Sequence, residues 1–139
     1  VEGVEVPTPA YGWSETWRIA ANKITDSYRV TLANLSGGVN QGFFRGFAPY
    51  EVRFEGVEGE VDVQSQGDAE VTFEFAASPN VFNRTIGDIV VAAKYGWEYL
   101  WVLYEKAEDQ QTKTLIKKPR AVYVEQVSDL RDFSLLGIG

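Results

Sequence analysis

The chain of 139 residues contains no cysteine and no histidine. Without cysteine there is no disulfide framework and no thiol nucleophile, and the redox compartment stays open. Without histidine there is no Ser-His-Asp or Cys-His triad, no ordinary zinc site and no imidazole acid–base step near neutral pH. A catalyst built from this chain has only Asp, Glu, Lys, Tyr and Arg to work with. No apolar run approaches the roughly 20 residues that span a bilayer, and no stretch reads as a signal peptide, so no membrane partner is expected. Cations are scarce: 13 Lys and Arg stand against 20 Asp and Glu, a net charge of −7. Tight nucleic-acid binding needs cationic contacts that displace counterions, so it is not expected here. The basic cluster Lys113, Lys117, Lys118 and Arg120 is small and offset by nearby acids.

What is present is aromatic and alternating. In "YEVRFEG", Tyr50, Val52 and Phe54 alternate with Glu51, Arg53 and Glu55; in "EVTFEFA", Val71, Phe73 and Phe75 alternate with Glu70, Thr72 and Glu74. Period two with one polar face predicts half-buried antiparallel strands. The Gly- and acid-rich stretch between them predicts a long, protruding, partly β-structured loop. "YGWEYLWVLYE", from Tyr95 to Glu105, is apolar on both faces, which predicts a central strand covered on both sides. Pro119 in the last long strand candidate predicts an edge position or a bulge.

Elsewhere the signals are weaker. Glu15 to Lys23 is compatible with a short helix, while Tyr28 to Asn34 alternates and predicts a strand. "SGGVNQGFFRGFAP" predicts a glycine-rich loop pinned by its phenylalanines, and "ASPNVFNRTIGD" a turn region. There is no internal repeat. The expected fold is all-β and mainly antiparallel: a single β-sandwich or barrel-like domain over 14–131, with at most one or two short helices. An extended N-terminal arm, 1–13, precedes it and an apolar C-terminal tail without a polar cap, 132–139, follows it.

Several chemistries fit parts of this pattern. Trp97, Tyr99 and Trp101 read as core rather than as a sugar-stacking platform, because two-sided burial uses the faces a ligand needs. Glu51, Glu55, Glu70 and Glu74 could supply a glycosidase pair, but acids on alternating strands are ordinarily a solvated face. Glu58, Glu60, Asp62 and Asp68 do not have the spacing of an EF-hand loop. Asn34 and Asn83 head N-glycosylation tripeptides, and "GGVNQGFFRG" lacks the ending of a phosphate loop. No cofactor and no metal are therefore expected.

The ends carry the stronger clue, since exposed apolar segments invite association. Candidate interface residues are Pro7, Pro9, Tyr11 and Trp13 in the arm and Glu58, Glu60 and Asp62 in the acidic loop. Phe133, Leu135, Leu136 and Ile138 in the tail complete the set. Together "GGVNQGFFRGFAPYEVRFEGVEGE", "VTFEFAASPN", "GWEYLWVLYE" and "AVYVEQVSDLRDFSLLGIG" resemble small virion-associated structural proteins of tailed phages and prophage-like particles. The resemblance implies a non-enzymatic subunit of a tail tube, neck or capsid decoration. It would be located in the virion, with its own copies and other assembly subunits as partners, and could form a conduit along which DNA slides. The alternative is a carbohydrate- or other ligand-binding β-sandwich module.

Overall fold

Clean alternation puts the expected pair of strands at the centre of the molecule. The computed structural model describes residues 2–61, 68–108 and 115–138. The chain is all-β and mainly antiparallel, with one α-helix among the described residues. β4 (Val52–Val61) and β5 (Asp68–Ala77) pair as a hairpin, with Val52, Phe54, Val71, Phe73 and Phe75 buried on one face. The strands run on through the stretch expected to protrude, so both flanks of that loop are sheet, and Asp62 lies outside the described residues. The register shifts between Phe54 and Gly56. Gly56 has φ 121°, a conformation that glycine adopts without a Cβ penalty.

The hairpin belongs to a five-stranded sheet ordered β10-β3-β4-β5-β2. β2 (Tyr11–Ala20) lies antiparallel to β5 in unbroken register from Tyr11 opposite Ala77 to Ala20 opposite Asp68. β3 (Val39–Asn40) joins β4, and β10 (Leu130–Arg131) lies parallel to β3. The short helix expected over Glu15–Lys23 is therefore mostly strand, with a single 3-10 turn at Ala21–Lys23. A charged residue, Glu15, occupies a core-side position between Trp13 and Trp17 and obscures the alternation.

The strand expected over Tyr28–Asn34 is instead the middle of helix α1 (Asp26–Leu35). Thr25 caps it, its side chain accepting from the Tyr28 N–H at 3.1 Å. The buried residues are Leu32 and Leu35 and the half-buried Tyr28 packs with them, a helical stripe, whereas Val30 is 60% exposed. Period two and period 3.6 both admit Tyr28 and Leu32; only Val30 tells them apart.

α1 covers the apolar face of the five-stranded sheet together with the last described residues. Phe133–Leu136 form a 3-10 turn, and Phe133, Leu136 and Ile138 are buried in the same core as Phe44, Phe54, Phe73 and Phe75. The tail expected to be an uncapped appendage is thus part of the core. Asp132 caps its turn, Oδ1 accepting from the Ser134 N–H at 3.0 Å and Oγ at 2.6 Å. Of the glycine-rich loop, Phe44 is buried and Phe47 packs beside it, but Phe43 is 80% exposed.

A second, three-stranded sheet is ordered β1-β8-β9. β8 (Tyr99–Glu108) is its central strand, as expected, with Leu100 and Val102 buried and Tyr99, Trp101, Leu103 and Tyr104 half-buried. Burial is thus full at Leu100 and Val102 on one face and partial along the other. Among the described residues β9 (Leu115–Glu125) pairs with β8 alone, and it shifts register beside Pro119, the edge position and the bulge together. β1 (Glu2–Glu5) pairs with β8, so the expected arm contributes a strand here, and its Tyr11–Trp13 portion opens β2. The expected turn region holds β6 (Val81–Ile86), which forms a hairpin with β7 (Ile89–Lys94) through Gly87.

The two larger sheets are locked around Gly96. Its N–H donates to Asn80 Oδ1 at 2.6 Å, and its carbonyl accepts from Ser78 Oγ at 3.0 Å and Lys94 Nζ at 3.1 Å. The adjacent Trp97 ring is buried against Val39 and Ala76, with Nε1 donating to the Glu51 carbonyl at 3.0 Å. Arg53 lays its guanidinium 4.0 Å from the centre of that ring.

Candidate assembly surface

β2 ends the five-stranded sheet, and among the described residues no strand pairs with its outer side. Ten residues long, free of proline and without a bulge against β5, it lacks three of the features that usually blunt a sheet edge, though it carries Arg18 and the inward Glu15. Gly12, Ser14, Thr16 and Arg18 are exposed along it, as are Tyr11 at 58% and Trp17 at 39%.

Its core-side face is held by a carboxylate. Glu15 Oε2 accepts from Trp13 Nε1 at 2.9 Å, and Oε1 accepts from Trp17 Nε1 at 3.1 Å. Arg45 reaches over from the glycine-rich loop, donating Nε to Oε2 and Nη2 to Oε1 at 2.9 Å each. Its Nη2 also donates to the Ile138 carbonyl at 2.8 Å, tying the last described turn to the edge strand. Arg45 sits at φ 51°, and its guanidinium lies 4.6 Å from the Phe44 ring centre. The Arg45 hydrogen bonds outweigh the cost of partial burial and, with the two indoles, lower the Glu15 pKa from 4.5 to about 2. The same bonds raise that of Arg45.

Aromatic rings continue the surface. Trp13 stacks on Tyr11, Phe47 and Phe75 with centroids 5.6, 5.5 and 5.1 Å apart. Of the arm residues, Tyr11 and Trp13 therefore meet at the edge, Pro9 is exposed and Pro7 half-buried between β1 and β2. The arm is also clasped to β6: Arg84 donates to both oxygens of Glu5, at 2.6 and 2.8 Å. In the tail, Leu135 is exposed while Phe133, Leu136 and Ile138 are not available to a partner.

The acids divide by role. Glu51 accepts from the backbone N–H groups of Ala48 at 2.7 Å and Asn80 at 2.9 Å, which makes it a loop brace. Glu55 pairs with Arg53 at 2.8 Å. Glu58, Glu70 and Glu74 are exposed on the face away from the core, and Glu60 stands opposite Glu70 in the strand register. Among the described residues no group of three or more acids converges on a metal-sized site. No helix among them is long and apolar enough to cross a membrane. Of the tryptophans that a sugar platform would need, Trp97 is buried and Trp101 is half-buried, stacked on Tyr123 at 6.2 Å.

Sequence reasoning missed Glu15, Arg45 and Gly96. A carboxylate between two tryptophans at i±2 was the available sign for the first; the other two depend on partners distant in the chain. No family model matches this chain, and no curated protein or solved structure matches it at a significant level.

Proposed function

We propose that this chain is a non-enzymatic structural subunit of a larger homo-oligomeric assembly, of the kind found in the tail, neck or capsid of a phage-like particle. The observation that carries the reading is the open β2 edge: ten residues of strand with no outer neighbour among the described residues, carrying exposed Tyr11 and Trp17. A long, regular, aromatic edge is a template for strand addition, and a monomer that kept it bare would be prone to aggregate. The exposed acids Glu58, Glu70 and Glu74 suit a surface facing a polyanion, which would be repelled rather than gripped. Light scattering behind a sizing column, followed by negative-stain microscopy, tests the reading. A discrete oligomer, ring or tube is the expected result; a clean monomer at every concentration overturns it.

A second reading rests on a different place. A cleft of about 210 Å³ is lined chiefly by Gln41, Gly42, Phe43, Phe44, Asp132 and Ser134. Apolar rings beside amide, carboxylate and hydroxyl groups suit a sugar ring, in keeping with a carbohydrate-binding module. Calorimetric titration with oligosaccharides would detect such binding, and Phe43→Ala should abolish it. No heat with any glycan tested removes this alternative.

A further inference from the structure

Resting on the structural-subunit reading, we propose that the occupant of the β2 edge is β2 of a second copy, antiparallel, about a two-fold axis at Thr16. The strand is complementary to itself in that register. Residues whose numbers sum to 32 then face one another: Thr16 meets Thr16, Ser14 meets Arg18, and Gly12 meets Ala20.

The charges select this arrangement. On the outer face of the sheet, Ser14 stands opposite Glu74 and Arg18 opposite Glu70 in the β2–β5 register. Reflected through the axis, each Arg18 lies between Glu70 of its own chain and the Ser14–Glu74 pair of the other. Two strand spacings, about 10 Å, separate the Arg18 and Glu74 backbones, a distance the two extended side chains can bridge over the small Ser14. Arg18 is exposed and makes no ion pair among the described residues, so it is available for that contact. Thr16 already bonds Thr72 through their hydroxyls at 3.0 Å, leaving no charge at the axis itself.

The opposite face agrees. There Trp13 of one copy meets Ile19 of the other, and Trp17 meets Glu15. Glu15 carries no uncompensated charge into the seam, because Arg45 already holds it. The half-exposed row of Tyr11, Trp13 and Trp17 thereby loses its water. The product is a continuous sheet in which the two five-stranded sheets join edge to edge, and the contact is isologous, each copy giving the same patch.

Reciprocal charge exchange on the full chain tests the proposal, with sedimentation velocity as the readout. Arg18→Glu alone places Glu beside Glu74, and Glu74→Arg alone places Arg beside Arg18, so each homodimer should weaken by about tenfold or more. Mixed one to one, the two variants form a hetero-pair in which both contacts are Glu–Arg, and assembly should return. Both positions are exposed, and unchanged circular dichroism and melting check the fold. Ser14→Lys, which sets a cation against Arg18, is a second disruptive variant should either of the others misfold.

Wild-type oligomers that survive all three substitutions overturn the β2 contact but leave the structural-subunit reading standing. Disruption that mixing fails to repair overturns the self-paired register. A wild-type chain that stays monomeric overturns both, including where the edge instead takes up an extended peptide of another protein.

Discussion

Arg45 grips both oxygens of Glu15 from thirty residues further along the chain, each contact at 2.9 Å. The pair is mostly shielded from water, which is why it weighs more than a surface ion pair. It also gathers Trp13, Trp17 and the Ile138 carbonyl around one carboxylate.

That clasp has an acid dependence. A carboxyl whose pKa falls from 4.5 to about 2 on folding contributes stability that is complete above about pH 5 and is lost as pH falls through 4.5 toward 2. After allowance for solvent screening the contribution is about 2 kcal/mol. Urea unfolding between pH 2 and 7 should show this slope, and Glu15→Gln should flatten it. An unchanged slope in the variant would assign the acid sensitivity to other carboxylates, such as Glu5 beside Arg84, whose pKa is also lowered.

Phe133 and Leu135 separate core from surface within one turn. Phe133→Ala should cost about 3–5 kcal/mol, because the ring is buried against Phe44, Phe54 and Phe75. Leu135→Ala should stay within about 0.5 kcal/mol. Deleting 132–139 is accordingly expected to unfold the chain, not merely to dissociate it. Denaturant midpoints of the three variants check the point.

At Gly96 the limit is space. A Cβ there would lie 2.3 Å from the Tyr50 carbonyl oxygen and 2.4 Å from that of Ser78, both backbone atoms. Gly96→Ala should therefore destabilise by at least about 3 kcal/mol, visible as a fall in melting temperature. A variant as stable as the parent would mean that the junction between the sheets is looser than its hydrogen bonds imply.

The helix can be tested against the strand it replaced. Val30→Ala should be neutral or stabilising by up to about 0.5 kcal/mol, since Val30 is exposed and alanine favours helix. Leu32→Ala should cost about 2–5 kcal/mol. In a strand both would face the core and both would be costly. Equal losses from chemical denaturation would return the segment to β structure.

Tryptophan emission should divide in the same way. In the dissociated Arg18→Glu variant, Trp17→Phe should remove most of the fluorescence that acrylamide quenches, and Trp97→Phe almost none, because in a single copy Trp17 is exposed and Trp97 is enclosed.

β4 and β5 were legible because their alternation is uninterrupted and one face is carried by Val and Phe. β2 was not, because Glu15 stands on its core side, and a buried-side acid makes sense only once Arg45 is known to arrive there. The same holds for α1, where a stripe at 28, 32 and 35 overlaps an alternation at 28, 30 and 32. The tail misled for another reason: an apolar segment has the same composition whether it fills its own core or a neighbour's. The candidate edge was least legible, since whether a strand has an outer neighbour is a property of sheet order, which no local pattern carries.

The distance in sequence between β1 and β8 sets a timetable for the growing chain. Glu2–Glu5 wait for Leu100–Leu103 before their backbone groups find partners, and the aromatic core stays open on one side until Phe133, Leu136 and Ile138 have been made. Helix α1 and the β4–β5 and β6–β7 hairpins are local and can form as they emerge, whereas the equally local β8–β9 hairpin is made late. For most of its time on the ribosome, therefore, the chain displays unroofed phenylalanines and unmatched strands to its neighbours. Copies emerging side by side on one message are at their most adhesive then, before the edge of β2 has a finished sheet behind it.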